Sequence, residues 1–196
     1  MANRVDREVA RAIGLAEAAH NGSRNDFAEL LSTLVRERLA NKDIEGAILV
    51  LAHGDELGLL DSLAELTPTL IDSASTVNVN QGLTLLYAAA GIDTRNLPHL
   101  TRFLLEEAGI DPHRREAALN VVLDRMRIDP WIFESDSHLI FDLAQQLGHE
   151  VGLYRDYLRL GGSQDERTPS AARYLQDLEL RSAVVFVGDQ SDSAYK

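Results

Sequence analysis

The chain has 196 residues, 45% of them hydrophobic, and carries a formal net charge of −12 at pH 7. That length and composition suit one globular domain with a substantial buried core, whereas the negative charge disfavours binding to nucleic acid or to an anionic membrane. The sequence contains no cysteine, which excludes disulfides, thiolate zinc sites and thiol catalysis.

The N-terminal segment and the apolar runs of the chain bear on its location. Residues 1–8 lack the apolar core of a secretory signal. The longest aliphatic run, residues 47–52, is much shorter than the roughly 20 residues of a membrane-spanning helix. We therefore expect a cytoplasmic protein that does not enter a membrane.

Apolar residues recur at helical spacing throughout the first part of the chain. Five helices are predicted there, beginning near Arg4, Asn25, Asp43, Asp55 and Thr67. The third is apolar on all sides over residues 47–52, so we expect that stretch to be buried, and His53 and Gly54 are predicted to end the helix. Asp55 and Glu56 then lie at the start of the fourth helix, where the helix dipole favours negative charge.

Polar residues interrupt the helical pattern over residues 73–80. Within this stretch, residues 77–80 alternate valine with asparagine, which is the pattern of a short strand. A lone strand has no pairing partner, so we interpret the segment as a loop. The helical pattern resumes with Leu83 and is predicted to stop at Gly91.

All five prolines of the chain lie where a helix is predicted to begin. They are Pro68, Pro98, Pro112, Pro130 and Pro169. Proline suits the first helical turn, because its missing N–H would have no partner there and its φ is already helical. Four of these prolines follow a residue of a capping type, namely Thr67, Asp111, Asp129 and Thr168.

Three similar tripeptides, residues 91–93, 109–111 and 127–129, begin 18 residues apart. Isoleucine and aspartate follow a glycine in the first two and an arginine in the third. We predict that the glycines cap helices in a left-handed conformation, that the isoleucines close the turns and that the aspartates cap the next helices. The spacing suits either a helical repeat or short antiparallel helices that share turn chemistry. The predicted fold is therefore all-α, with about nine to eleven short helices in antiparallel hairpins that form a compact multi-helix bundle or a short α-solenoid.

The C-terminal part of the chain sets the predicted domain organisation. Residues 161–167 are rich in glycine and polar residues and are predicted to be a linker. Residues 184–187 favour β-structure, and three alternatives stay open for them: helix, docked extended segment, or strand paired with a partner. We predict an all-helical domain over residues 1–160, a linker, C-terminal helix and β-prone segment over residues 161–187 packed on that domain, and a disordered tail over residues 188–196.

The most site-like constellation is one face of a predicted helix that carries His138, Asp142, Gln145 and His149. One interpretation is a metal-binding or acid–base face. A solvated face is favoured, because the four residues span about 16 Å of helix axis and Gly148 is predicted to end the helix before His149. No catalytic, cofactor or metal site is therefore predicted.

Other clusters of charge also have structural interpretations. Glu106 and Glu107 are neighbours whose side chains point about 100° apart, so they do not converge on one substrate atom. Two groups of arginines occur, with Arg4, Arg7 and Arg11 in one and Arg114 and Arg115 in the other. Both groups suit a phosphate or an acidic partner, but intramolecular ion pairs are favoured in a chain with 31 acidic residues.

Two aromatic residues, Trp131 and Phe133, lie beside the predicted helix start at Pro130. Tryptophan concentrates at interface hot spots, which suits an anchor for a partner. Packing between helices is the favoured interpretation, because large aromatic side chains bury the most apolar surface.

The sequence contains no P-loop, dinucleotide-binding, nucleophile-elbow or HExxH motif. We therefore expect a non-enzymatic module of the adaptor, secretion-chaperone, immunity or regulatory type, which binds a protein partner through a helical, acidic surface without a cofactor. One alternative is a small helical hydrolase that uses His138 and Asp142, or His99 and His113, as acid–base groups. Another is a small-molecule sensor with an apolar pocket near Trp131.

Overall fold

The computed structural model describes Gly14, residues 24–161 and residues 165–191. Over residues 24–161 and 165–191 the chain forms nine α-helices and three 3₁₀ helices, Gly14 is also helical, and none of the described residues lies in a strand. The predicted all-α fold is confirmed. None of the helices in the described ranges is long and apolar enough to cross a membrane.

The nine α-helices follow one another with short connections. They are α1 (Arg24–Ala40), α2 (Ile44–Glu56), α3 (Thr67–Ala74), α4 (Val79–Ile92), α5 (Leu97–Glu106), α6 (Pro112–Ile128), α7 (His138–Gln146), α8 (Val151–Gly161) and α9 (Thr168–Ser191). The 3₁₀ helices Leu60–Leu66, Thr94–Asn96 and Pro130–Asp136 precede α3, α5 and α7.

Packing divides the chain into two compact units, unit 1 (Met1–Val122) and unit 2 (Leu123–Lys196). The division falls within α6, which contains neither glycine nor an internal proline. The sequence prediction placed residues 1–160 in one domain, on the basis of the glycine-rich segment that follows. A boundary that is defined by contacts between helices need not coincide with a glycine-rich segment, so the sequence does not indicate it.

In unit 1, helices that are neighbours in the chain pack against each other, as α1 does on α2, α3 on α4 and α4 on α5. This agrees with the predicted hairpins. The core is aliphatic, and its fully buried side chains include Leu31, Val35, Leu63, Leu66, Leu70, Leu85, Leu97, Leu100 and Leu104.

Helix α2 runs through Gly54 to Glu56, so the predicted stop at His53 and Gly54 is wrong. A Cβ on Gly54 would lie 3.0 Å from the Leu63 side chain, which shows that this glycine permits close packing. Asp55 and Glu56 therefore end a helix. They do not begin one, and the dipole does not favour their charge there.

Helix α4 begins at Val79, four residues before the predicted start at Leu83. Asn78 caps it: its Oδ1 accepts from the Gln81 N–H at 3.0 Å, and its Nδ2 donates to the Gln81 Oε1 at 2.7 Å. The interpretation of residues 77–80 as a loop is therefore wrong for their second half. The polar residues around the cap hid the start of the helix.

Each of the five prolines lies in the first turn of a helix, as predicted. The Asp111 carboxylate accepts from the N–H groups of His113 and Arg114 at 3.1 Å, and the Asp129 carboxylate accepts from that of Trp131 at 3.2 Å. Thr67 is different, because it lies inside its helix and its hydroxyl donates to the Ala64 carbonyl at 3.0 Å. The aspartates therefore cap, whereas Thr67 does not.

The 18-residue spacing has a partial structural counterpart. In all three tripeptides the aspartate carboxylate accepts a hydrogen bond from the main-chain N–H two residues further on. For Asp93 the donor is Arg95, at 3.0 Å. The predicted glycine caps are wrong, because neither Gly91 nor Gly109 has a positive φ. The predicted isoleucine contact is also wrong in the third tripeptide, where Ile128 is 77% exposed.

In unit 2, α7 packs on α8, α8 packs on α9, and the 3₁₀ helix Pro130–Asp136 contacts both α7 and α8. Helix α9 extends through residues 184–187 and ends at Ser191. Of the three alternatives for residues 184–187, helix is the one observed. Residues 188–191 form the last turn of α9. Residues 192–196 lie outside the described residues.

Candidate functional site

The structure separates the four residues of the predicted polar helix face. Helix α7 begins at His138 and ends at Gln146. Gly148 and His149 then adopt positive φ angles of 79° and 65°. His149 therefore lies in the turn after the helix, as the position of Gly148 predicted, and its side chain is free to leave the helix face.

Asp142 forms an ion pair that joins α7 to the turn before α9. Its Oδ1 lies 3.0 Å from the Arg167 Nη1. The Arg167 guanidinium also lies 5.1 Å from the ring centroid of Phe141, a cation–π distance. Asp142 thus makes a tertiary ion pair, and its side chain remains 43% exposed, which agrees with the favoured solvated-face interpretation.

His149 belongs to a cluster with Gln145, Tyr154 and Tyr174, called the His149 cluster below. Its Nδ1 lies 2.8 Å from the Tyr154 hydroxyl and 3.2 Å from the Gln145 Nε2. Burial raises the pKa of Tyr154, and the nearby Tyr174 raises it further. The cluster connects α7, α8 and α9 within unit 2.

Metal binding and the alternative histidine pair receive no support from this geometry. Among the described residues, no three histidine or acidic side chains are grouped so that they could hold a metal ion. His99 is exposed on α5 and His113 is exposed at the start of α6.

The two aromatic residues near Pro130 have opposite environments. Phe133 is fully buried, so the core-packing interpretation is confirmed for it. Trp131 is 54% exposed, and the Arg159 guanidinium lies 5.5 Å from its ring centroid. Core packing is therefore wrong for Trp131. The ring of Trp131 is exposed beside an arginine, which differs from the apolar pocket that the small-molecule sensor hypothesis places near this residue.

The arginines near the start of α6 bind main-chain carbonyls. Arg115 donates to the carbonyls of Leu104 and Glu107, the latter at 3.3 Å, at the C-terminal end of α5. Arg114 donates from its Nη1 to the carbonyl of Asn80 at 3.4 Å. These bonds differ from the predicted ion pairs with acidic side chains. Arg4, Arg7 and Arg11 lie outside the described residues.

Arg114 lies on a groove of unit 1 whose floor is α4 and whose sides are α2 and α6. One hollow, of about 540 Å³, is lined by Ile44, Glu45, Ile48, Leu49, Asn78, Asn80, Gln81, Thr84 and Arg114. A smaller adjoining hollow, of about 210 Å³, is lined by Leu83, Thr84, Tyr87, Arg114, Ala117 and Ala118. Both hollows include Thr84 and Arg114, and we call them together the α4 groove.

The α4 groove contains two of the large apolar side chains that the protein exposes. Leu49 is 37% exposed and Tyr87 is 45% exposed. Leu49 belongs to the apolar stretch 47–52 that we predicted to be buried. That prediction is correct for Ala47, Val50 and Leu51, whereas Ile48 is half-buried and Leu49 and Ala52 are exposed. Sequence reasoning singled out only Arg114 of the groove residues, because the three helices that build the groove are distant in the chain.

No model of a known protein family, no curated protein and no solved structure gives a significant match to this chain. Its function is therefore inferred from its own geometry. Of the two features above, the His149 cluster consists of side chains that contact one another, although Tyr174 is 41% exposed, whereas the α4 groove is a pair of hollows with exposed apolar and charged side chains. The α4 groove is the candidate functional site.

Proposed function

We propose that the protein is a non-enzymatic binding module, of the adaptor, chaperone, immunity or regulatory kind, which holds a segment of a partner protein in the α4 groove. The observation that carries this proposal is the exposure of Leu49 and Tyr87 in one groove together with Arg114. Tyrosine and arginine are enriched at interface hot spots, where they combine large contact area with directed hydrogen bonds.

The construction of the groove supports a preformed site. Apart from Asn78, which caps α4, its side chains project from three α-helices rather than from long loops. A site built in this way loses less conformational freedom on binding than one on a mobile segment.

The charge of the chain bears on the nature of the partner. A net charge of −12 steers a basic or mixed protein surface towards this molecule, and repels nucleic acid and anionic membranes. We therefore propose a protein partner in the cytoplasm.

The proposal is tested by affinity capture from native lysate with the tagged full chain and two leucine variants. Leu49→Asp places a charge in the α4 groove. Leu57→Asp is the matched control, because Leu57 is 42% exposed and is not among the groove residues. We expect a captured protein to be lost with Leu49→Asp and kept with Leu57→Asp. Equal capture by both variants would contradict the proposed site.

A further inference from the structure

We propose that the occupant of the α4 groove is an amphipathic α-helix of the partner protein, and that an acidic side chain of this helix pairs with Arg114. This inference rests on the proposed function and names the chemistry of the segment that is bound. Three features support it: the main-chain requirements of the occupant, the length of the groove floor and the hydrogen bonds of the groove residues.

The main chain of the occupant must satisfy its own hydrogen bonds. An extended peptide usually binds by adding a strand to a sheet edge, which supplies main-chain donors and acceptors. The described part of this protein contains no strand, and the floor and both sides of the α4 groove are helices. A helix is the conformation whose main-chain groups are paired within the segment itself.

The floor of the groove has the spacing that suits a helix. Asn80, Thr84 and Tyr87 lie on one face of α4 at positions i, i+4 and i+7. At 1.5 Å per residue they span about 10 Å, or two helical turns. Leu49 lines one hollow and Tyr87 the other, and a partner helix with apolar side chains at this spacing would contact both across the shared residues Thr84 and Arg114.

The hydrogen bonds within the groove select Arg114 as the polar anchor. The Asn78 side chain is bonded to Gln81, through both its main-chain N–H and its amide oxygen. The Asn80 Oδ1 accepts from the N–H of Asp111 at 3.2 Å. These amides are engaged in holding the helix starts together, so they are poor candidates for recognising a ligand.

Arg114 is placed differently. Its guanidinium is oriented by one hydrogen bond from Nη1 to the Asn80 carbonyl, and its side chain is exposed between the two hollows. A guanidinium has five N–H donors in a planar fork that fits a carboxylate with two parallel hydrogen bonds. Charge complementarity at this position therefore calls for a glutamate or aspartate, flanked by apolar residues that cover Leu49 and Tyr87. Glu45 is exposed and also lines the groove, so the residue opposite it should be basic or neutral, which makes the bound helix mixed in charge.

The experiment uses a displayed library of random peptides, selected on the full chain. We expect the selected sequences to contain Asp or Glu with apolar residues three or four positions away. A synthetic peptide of this kind should become helical on binding, as followed by circular dichroism. In fluorescence anisotropy, Arg114→Gln and Arg114→Lys should each weaken its binding, the former by about tenfold. The matched control is Arg125→Gln, an exposed arginine of α6 that does not line the groove.

A second comparison isolates the charge pair. Replacing the acidic residue of the peptide by its amide should weaken binding to the unaltered protein, and should have little further effect on Arg114→Gln. Peptides that no longer bind the Leu49→Asp variant but bind the Arg114→Gln variant normally would overturn the acidic anchor and leave the proposed function standing. Peptides that bind without helix formation would overturn the helical occupant. Selection without enrichment, or peptides indifferent to Leu49→Asp, would count against the proposed function itself.

Discussion

The imidazole ring of His149 stacks on the phenol ring of Tyr174, with centroids 4.5 Å apart and an angle of 20° between the planes. His149 lies in the turn after α7 and Tyr174 lies on α9, so the contact fixes the last helix of unit 2 against an earlier turn. His149 has a positive φ of 65°, and its Nδ1 also lies 2.8 Å from the hydroxyl of Tyr154, which lies on α8.

We predict that His149→Ala lowers the free energy of unfolding of unit 2 by about 1–2 kcal/mol. The change removes a ring contact and a hydrogen bond with a buried tyrosine, and each contributes on the order of 1 kcal/mol. Gln146→Ala, at an exposed position outside the cluster, is the control and should have little effect. Urea unfolding followed by circular dichroism measures both. Equal effects would show that the stacked ring does not stabilise the unit.

Replacing two glycines of α4 by alanine is predicted to change the stability of the protein in opposite directions. A Cβ on Gly82 would lie 2.8 Å from the Ala74 carbonyl oxygen, so Gly82→Ala forces the backbone of two helices apart. We expect a loss of about 1–3 kcal/mol. A Cβ on Gly91 would meet nothing within 4 Å and this residue is exposed, so Gly91→Ala should stabilise by about 0.5–1 kcal/mol. Thermal unfolding of both variants checks the sign of each change.

Phe133 and Trp131 should differ sharply on truncation, although both are aromatic residues of one 3₁₀ helix. Phe133→Ala empties a fully buried site, and we expect a loss of about 3–5 kcal/mol. Trp131→Ala removes an exposed ring and its cation–π contact with Arg159, which stabilise by about 1 kcal/mol or less. Urea unfolding curves of the two variants decide the matter. A larger loss for Trp131→Ala would show that the exposed ring is part of the core.

The hydrogen bond between Asp93 and Arg95 should stabilise the folded protein at neutral pH and lose this effect at acidic pH. The hydrogen bond from the Arg95 side chain holds the pKa of the Asp93 carboxyl below its usual value. The unfolded chain therefore takes up this proton at a higher pH than the folded chain. The stabilisation is present above the unfolded pKa and is lost as pH falls through the folded pKa.

The measurement compares the unaltered protein with Asp93→Asn, which keeps a capping side chain and removes the charge. We expect the variant to be slightly less stable at pH 7, with the difference closing as the pH falls below about 4. The effect is small, because Arg95 is exposed and water screens the pair. A difference that is unchanged from about pH 7 to about pH 3 would contradict this assignment.

Helix starts were predictable from the sequence because their signals are local. Asp111 and Asp129 cap the elements that begin at the following proline, and a carboxylate reaches the N–H two residues away without help from distant parts of the chain. Asn78 is of the same chemical type and was missed. Several polar residues surround Asn78, and any of them could cap a helix, so the sequence does not show which one precedes the first helical residue.

Glycine was the least predictable residue. Gly54 and Gly91 had the sequence context of helix ends, yet both lie within helices. Whether glycine ends a helix or admits a neighbouring side chain depends on what packs against it. For Gly54 that neighbour is Leu63, nine residues further along the chain.

The candidate site shows the same limit more strongly. Arg114 attracted notice as one of two adjacent arginines, but Leu49 belonged to a stretch that was predicted to be buried, and no pattern drew attention to Tyr87. Their exposure follows from the positions of α2 and α6 beside α4, which no local pattern specifies.

The sequence by itself determined the all-α class, the starts of the helices at prolines and capping aspartates, and the absence of thiol chemistry, because each depends on residue type or on neighbours within one turn. The tertiary structure decided which apolar residues remain exposed, where the chain divides into units, and which polar side chains meet. Those features depend on contacts between helices distant in sequence, and the free energy of such contacts is set by shape and burial rather than by the spacing of residues along the chain.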